Sequence, residues 1–417
     1  NYRCCKWLKL PRNSERSCVD SKYFLLDVMA KMSSSIQRNR IRSIDMMRGL
    51  VMLIMLIDHV RERFFLHLQV SDPMDIDTTS PSLFFTRLAA HYCAPTFVFL
   101  TGLSAWLYPN PMDSANKAKP TRNVREFLIK RGLFILFLEV TFITFSWGAS
   151  FQTLYLQVMW AIGISMIALA VLSYLPRTLL LILGLLIVFG HNALTPISYV
   201  PHETGYTLWT MLHDRGYILQ SAALNIKVSY PVLPWIGVIL LGYACGPLYS
   251  QQLDKARRGR WLLGLFAVSL SLFFLLRGLN IYGETLPWEL QQSAITTLMS
   301  LLNLTKYPPS LAFLLFTLAG MFLLLFAFER VKDTQFAFLD TFGSVPMFFY
   351  ILHLYVLLVM YGIAFFIWEA NKGKYVGVDH IWQIWLIAAG LSLVLYFPVK
   401  WFSAYKSKHH APWLKYL

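Results

Sequence analysis

The ionisable residues in or beside the first long apolar run of the chain include Asp45, Arg48, Asp58 and His59. Arg48 and His59 are eleven residues apart, which in a helix is almost three turns and about 16 Å of rise, so both side chains share one face. Asp45 lies on that face, three residues before Arg48, and can pair with it. Because histidine titrates near neutrality and a positioned base accelerates reactions about 10²–10⁴-fold, the stripe indicates proton transfer at His59.

Further polar residues interrupt later apolar runs. Arg87 and His91 are four residues apart, Glu139 is alone in its run, and Tyr350 and His353 are three residues apart. An ionisable group at the centre of a membrane helix costs about 2.5–3.5 kcal/mol, so each needs a partner or a water-filled cavity. Singly, such residues more often tie helices together than catalyse. One buried proton-transfer cluster could form from four ionisable residues on four apolar runs: His59, His91, Glu139 and His353.

The composition places these residues in a membrane protein. Hydrophobic residues make up 56% of the 417 residues and charged residues 14%, whereas soluble domains carry about 25% charged residues. A membrane helix needs about 20 apolar residues. The sequence predicts an all-α bundle of about ten transmembrane helices: 47–66, 83–108, 126–147, 152–175, 178–195, 231–249, 261–279, 309–329, 344–368 and 381–403.

The distribution of basic residues predicts an orientation. With the N-terminus in the cytoplasm, most of the 37 Lys and Arg residues fall in cytoplasmic segments, as the positive-inside rule requires. Both termini are then cytoplasmic, and the long connections 196–230 and 280–308 face outward. Their aromatic and polar residues either cover an acceptor pocket or anchor short helices at the headgroup level. The net charge of +15 follows from these loops, and no basic patch interleaved with exposed aromatics predicts nucleic-acid binding.

The chain divides into three predicted parts. Residues 1–40 are basic and unpatterned, which predicts a disordered tail or an extended gene start ahead of Met29 or Met32. Residues 41–405 form one transmembrane domain, and residues 406–417 form a cytoplasmic tail. The five cysteines show neither a disulfide framework nor metal-type spacing, so we expect no metal site.

Several stretches resemble known membrane acyltransferases. Residues 42–59 resemble the Arg, ten residues, His signature of the transmembrane acyltransferase superfamily. The wider resemblance is to its bacterial members related to the heparan-α-glucosaminide N-acetyltransferase catalytic domain. It rests on IDMMRGLVMLIMLIDHVRE (44–62), FFTRLAAHYCAPTFVFLTG (84–102), RGLFILFLEV (131–140), YPVLPWIGVILLGYACG (230–246), LTKYPPSL (304–311) and VPMFFYILHLYV (345–356).

The resemblance implies a two-sided reaction in the plasma or inner membrane. Acetyl-CoA or another acyl-CoA would bind at the cytoplasmic face, and an extracytoplasmic sugar or glycan would accept the acyl group. The implied donor-binding residues are Asp45, Arg48, Lys130 and Arg131.

His59 would act as general base or transient acyl carrier, flanked by Asp58. In the lysosomal enzymes Asn stands at the position of His59 and the catalytic His lies further along, which makes His67 the alternative base. Arg87, Tyr350 and His353 are further polar candidates, and a homodimer stays open.

Two other functions use the same residues. A proton-coupled transporter could employ the ionisable stripe as a relay, although such transporters usually contain inverted repeats and none is found. A membrane protein without catalysis would leave the stripe without a purpose. The sequence predicts neither the acceptor nor the acyl length.

Overall fold

Apolar helices dominate the structure, a computed structural model that describes residues 41–110, 123–332, 335–409 and 411–416. The tail predicted at residues 1–40 lies outside the described residues. In the described part, six helices are long and apolar enough to cross a membrane, and two shorter apolar helices cover 158–172 and 233–249. The protein is therefore a mostly helical, multi-pass membrane protein, as its composition indicates. The count of ten spans and the cytoplasmic termini stay predictions.

The long helices follow the predicted apolar runs, and shorter helices and three strands lie in or between those runs. The α-helices are α1 Arg42–Phe64, α2 Pro81–Ala89, α3 Cys93–Leu107, α4 Val124–Leu138, α5 Thr144–Gly148, α6 Val158–Leu172, α7 Arg177–Gly190, α8 Tyr206–Leu212, α9 Leu233–Ala244, α10 Lys255–Leu279, α11 Ala294–Leu302, α12 Leu311–Phe328, α13 Ala337–Ser344, α14 Pro346–Trp368 and α15 Ile381–Lys408. The strands are β1 Thr153–Leu156, β2 Gly216–Gln220 and β3 Asn225–Val228.

Polar side chains fix where several helices begin. Asn123 accepts hydrogen bonds from the first backbone N–H groups of α4, Asp254 does so for α10, and Ser310 for α12. Each cap satisfies a donor that the first helical turn leaves unpaired. These residues end the polar connections and set the start of the apolar runs that follow.

Two predicted spans are interrupted close to polar residues. A 3₁₀ turn, Ala90–Tyr92, separates α2 from α3, and Pro95 in the first turn of α3 has no N–H to bond back to His91. A π-helical turn, Glu139–Ile143, joins α4 to α5. Such π turns are frequent at functional sites.

Glycines bring α1 and α13 into backbone contact. A Cβ built on Gly343 would lie 1.8 Å from the carbonyl oxygen of Asp45, and one on Gly49 would lie 2.0 Å from that of Leu339. Only glycine permits such an approach, which is how membrane helices commonly pack. The start of α1, with Arg48, is therefore held closely against α13.

A small sheet departs from the all-α prediction. Its order is β1-β3-β2, with β1 parallel and β2 antiparallel to β3. The predicted span 152–175 is wrong at its beginning, because residues 153–156 are a strand and the helix starts at Val158. These residues pair with the connection 196–230, so tertiary pairing overrides their apolar character.

Candidate active site: two cavities that share one wall

Two cavities lie along α1. The first, here the Arg48 cavity, has a volume of about 250 Å³, and α1 contributes Arg48 and Met52 to it. The second, the His59 cavity, also has about 250 Å³, and α1 contributes Met55, Asp58 and His59. The face predicted from the helical period thus serves both. Three residues line both cavities and form their common wall: Phe97, Met159 and Tyr350.

His59 is one half of a buried histidine pair. Its Nδ1 lies 2.7 Å from Nε2 of His353, and Nδ1 of His353 lies 2.8 Å from the carbonyl oxygen of Phe349. A carbonyl only accepts, so His353 donates from Nδ1 and, when neutral, accepts at Nε2. His59 must then donate from Nδ1, which leaves its Nε2 with a free lone pair. This nitrogen has no partner within the described residues, and His59 lines the second cavity.

Aromatic rings fix the plane of His59. Its ring centroid is 5.3 Å from that of Trp147 and 6.0 Å from that of Tyr350, both edge-on. Arg63 holds Trp147 in turn, because it donates to the Trp147 carbonyl at 2.8 Å. A base held by packing on several sides keeps its lone pair in one direction.

Asp58 forms a buried ion triad. Its Oδ1 accepts from Arg61 and its Oδ2 from Arg87, both at 2.9 Å, and all three residues are buried. Both carboxylate oxygens are thus occupied by guanidinium groups. Asp58 therefore balances charge and ties α1 to α2, and His59 is the group beside it with an open acceptor atom.

Three cations line the Arg48 cavity: Arg48, Arg131 and Lys406. Arg48 bonds to Asp45 at 3.0 Å, as the spacing predicts, and to Ser104 at 2.5 Å. The Nε of Arg131 is buried with no hydrogen-bond partner among the described residues. Guanidinium groups of this kind suit the oxygens of a phosphate.

Lys130 and two other arginines lie elsewhere. Lys130 is exposed, pairs with Glu126 and does not line the cavity. Arg257 pairs with Asp254, and Arg258 with Glu329. The cations of the cavity are therefore distinct from the outer loop charges.

The two long connections cover the His59 cavity. Arg215 and Tyr230 come from 196–230, and Lys306 and Tyr307 from 280–308. Asp72 accepts backbone N–H bonds from Lys306 at 3.1 Å and Tyr307 at 2.9 Å, which fixes this turn. Burial raises the pKa of Asp72, although Arg87, Lys306 and the two backbone donors act in the opposite direction. Of the two interpretations of these connections, the pocket cover is the one the contacts support.

A wider groove continues from the His59 cavity. Its volume is about 530 Å³, and Tyr361 and Tyr375 line it. The groove and the cavity share five lining residues: Glu62, Gln69, Trp147, Tyr155 and Gln157. Aromatic faces beside amide and carboxylate groups are a suitable surface for a sugar, which presents apolar faces edged by hydroxyls.

The predicted four-residue cluster forms only in part. His59 and His353 meet, but His91 packs against Phe313 and lines neither cavity. Glu139 is fully buried, accepts from the Gln157 backbone at 2.6 Å and also lines neither cavity. His67 packs against Phe65 outside both cavities, and burial lowers its pKa.

Sequence reasoning missed several lining residues. Lys306 lies within the quoted stretch 304–311, where a lysine beside an aromatic was an available signal. Lys406 was counted only as a charge of the tail. Among the described residues, no group of three or more His, Cys, Asp and Glu side chains could hold a metal ion.

Comparison with known proteins adds one match. A family model described as "Heparan-alpha-glucosaminide N-acetyltransferase, catalytic" matches residues 40–282, which is more than half of the chain. The match includes Arg48, His59 and Arg131 and ends before Tyr350 and His353. A search of curated proteins found no match.

Proposed function

The chain belongs to the heparan-alpha-glucosaminide N-acetyltransferase catalytic family, and from this we propose that it transfers an acetyl group from acetyl-CoA to a sugar across the membrane. Membership indicates a membrane acetyltransferase. The donor, the sugar acceptor and their sides are our proposal. The observation that carries it is the shared wall of Phe97, Met159 and Tyr350, with cations on one side and His59 on the other.

The Arg48 cavity is the proposed donor site. Beyond its cations it is lined by apolar side chains such as Met52, Ile135 and Met166. A volume of about 250 Å³ is below the ~300 Å³ of sites for drug-sized ligands, so it suits the acyl-pantetheine arm. The nucleotide would remain at the mouth, where Arg48, Arg131 and Lys406 bind phosphate. The distribution of loop charges supports a cytoplasmic location for this end of α1.

The His59 cavity is the proposed acceptor site. Tyr155, Tyr230, Gln157 and Lys306 line it and offer a sugar both ring faces and hydrogen-bonding groups. The adjoining groove would hold further units of a glycan chain. The distribution of loop charges supports an extracytoplasmic location for this site.

The transfer step follows from the histidine pair. Nε2 of His59 takes the proton of the attacking hydroxyl or amine while that oxygen or nitrogen bonds to the thioester carbon. The carbon–sulfur bond then breaks, and the CoA thiolate receives the proton from His59. His353 accepts from Nδ1 of His59 throughout, so it holds the tautomer and stabilises the imidazolium. His67 lacks this placement, and the geometry therefore favours His59 as the base.

Sidedness tests the proposal directly. The protein is reconstituted in vesicles with ¹⁴C-acetyl-CoA on one side and methyl α-D-glucosaminide or methyl α-D-glucoside on the other. We expect labelled sugar only when acetyl-CoA faces the Arg48 end, and loss of about 10²–10⁴ in rate in His59→Ala. The matched control, His67→Ala, should retain transfer.

Three outcomes would contradict the proposal. Unchanged transfer in His59→Ala would remove the assigned base. Transfer from the opposite side alone would reverse the assigned cavities. Transport of the sugar without acetylation, followed in a parallel experiment with ³H-labelled sugar, would favour the transporter.

A further inference from the structure

The wall between the cavities contains one hydrogen-bond donor. Of Phe97, Met159 and Tyr350, only Tyr350 carries a hydroxyl, and its side chain is 1% exposed. Its ring packs against both histidines, with centroid distances of 6.0 Å to His59 and 5.5 Å to His353. Because a packed ring restricts the direction of its hydroxyl, Tyr350 presents a fixed polar group where donor and acceptor would meet.

The Tyr350 hydroxyl makes no hydrogen bond to any described residue, and it borders open cavity space instead of being fully enclosed by protein. Other nearby hydroxyls are already used. Thr101 donates to the Phe97 carbonyl at 2.7 Å, and Ser104 donates to the Leu100 carbonyl at 2.6 Å. Since Tyr350 lines both cavities, the partner that its hydroxyl lacks can be supplied by a bound ligand.

We propose that the Tyr350 hydroxyl donates a hydrogen bond to the thioester carbonyl oxygen and stabilises the negative charge that develops there during acyl transfer. This inference rests on the proposed function. As the acceptor oxygen or nitrogen bonds to the carbonyl carbon, the carbonyl π electrons move to oxygen. They return when the carbon–sulfur bond breaks and the thiolate leaves. A donor that is already in place lowers the barrier because it needs no reorganisation.

Trp147 is the competing donor. Its buried Nε1 also has no hydrogen-bond partner in the described part of the chain, and it lines the His59 cavity. It does not line the Arg48 cavity, so it is placed for the acceptor sugar rather than the thioester. The two donors therefore predict different kinetic effects.

The kinetic test is Tyr350→Phe, which keeps the ring of the wall and removes only the hydroxyl. We expect kcat to fall about 10²–10³-fold, as for loss of one oxyanion donor, with KM for acetyl-CoA unchanged. The matched variant Trp147→Phe removes the indole N–H and should raise KM for the sugar, with a smaller fall in kcat because its ring also packs against His59. A kcat within threefold of the parent in Tyr350→Phe would overturn the role.

A spectroscopic test separates this role from a structural one. Infrared spectra of [1-¹³C]acetyl-CoA are recorded on His59→Ala protein, in which the thioester persists, and on the His59→Ala/Tyr350→Phe double variant. The carbonyl band should move to higher frequency when the hydroxyl is lost. Replacement of Tyr350 by 3,5-difluorotyrosine, a stronger donor that keeps the hydroxyl, should move it to lower frequency.

Two failures are distinguishable. Bound acetyl-CoA whose band is the same with and without the hydroxyl would overturn the role of Tyr350 and leave the proposed function intact. Acetyl-CoA that binds neither protein would overturn the proposed donor site, and the role of Tyr350 with it.

Discussion

The Arg48 and His59 cavities have the same volume and share α1, yet their linings differ in chemistry. The Arg48 cavity combines cations with apolar side chains such as Met52 and Met166. The His59 cavity is lined by His59, by Asp58 and Arg87 of the buried ion triad, and by aromatic rings from the long connections. One helix face thus serves two unlike ligands. Because the two linings suit different ligands, we propose that the transfer reaction occurs at the wall between the cavities and not within either cavity alone.

The largest expected effect contrasts the ion pairs of the two cavities. Asp58→Asn leaves Arg87 buried without its counter-charge and leaves Arg61 with Glu62 alone, at 3.3 Å, and breaking a buried pair costs about 3–5 kcal/mol of stability. Asp45→Asn breaks a part-buried pair whose side chains are 22% and 13% exposed, so water solvates both groups in part and the loss of stability should be smaller. Thermal unfolding in detergent should show a large loss for Asp58→Asn only. Equal losses of stability in Asp58→Asn and Asp45→Asn would contradict this difference between the two ion pairs.

A second prediction concerns the tautomer of His59. His353→Leu removes the acceptor for Nδ1 of His59, so its orientation and protonation are no longer fixed. We expect kcat to fall at least about tenfold, because a hydrogen bond to a charged group contributes about 1.5–3 kcal/mol, with both KM values unchanged. His91→Leu, a buried histidine that lines neither cavity, serves as control for turnover. A similar fall in kcat in both variants would contradict the role of His353 in orienting His59.

A third prediction concerns donor binding in the Arg48 cavity. Arg131→Ala removes a guanidinium proposed to bind phosphate, and one hydrogen bond to a charged group contributes about 1.5–3 kcal/mol. KM for acetyl-CoA should rise at least tenfold while KM for the sugar stays constant. The neighbouring Lys130→Ala is the matched control, because Lys130 pairs with Glu126 outside the cavity. A rise in both variants would indicate a general loop-charge effect.

The smallest predicted effect concerns acceptor binding in the His59 cavity. Lys306 is buried, and no described acidic side chain forms an ion pair with it. Lys306→Met keeps the stem but removes the ammonium, which should cost one ordinary hydrogen bond of about 0.5–1.5 kcal/mol. Steady-state kinetics should show KM for the sugar rising severalfold and KM for acetyl-CoA unchanged. A rise in KM for acetyl-CoA with an unchanged KM for the sugar would contradict the assignment of this cavity to the acceptor.

Local patterns could be predicted from the sequence. The apolar runs gave the long helices, and helical spacing gave the Asp45–Arg48 pair and the face that lines both cavities. Each of these depends on residues close together in the chain, where geometry is nearly fixed.

Contacts between distant helices could not be predicted in the same way. His59 and His353 are 294 residues apart, and nothing local fixes how their helices are rotated toward one another. The same rotation leaves His91 and Glu139 outside the cavities, although both residues are ionisable. Strand β1 is a further case, since its pairing with β3 overrides an apolar run that extends into α6.

A structure of the His59→Ala protein with acetyl-CoA, determined by cryo-electron microscopy in lipid nanodiscs, tests the central claim most directly. We expect pantetheine in the Arg48 cavity, phosphates at Arg131 and Lys406, and the acetyl group at the wall beside Tyr350. Acetyl-CoA in the His59 cavity, or an acetyl group remote from the wall, would contradict it.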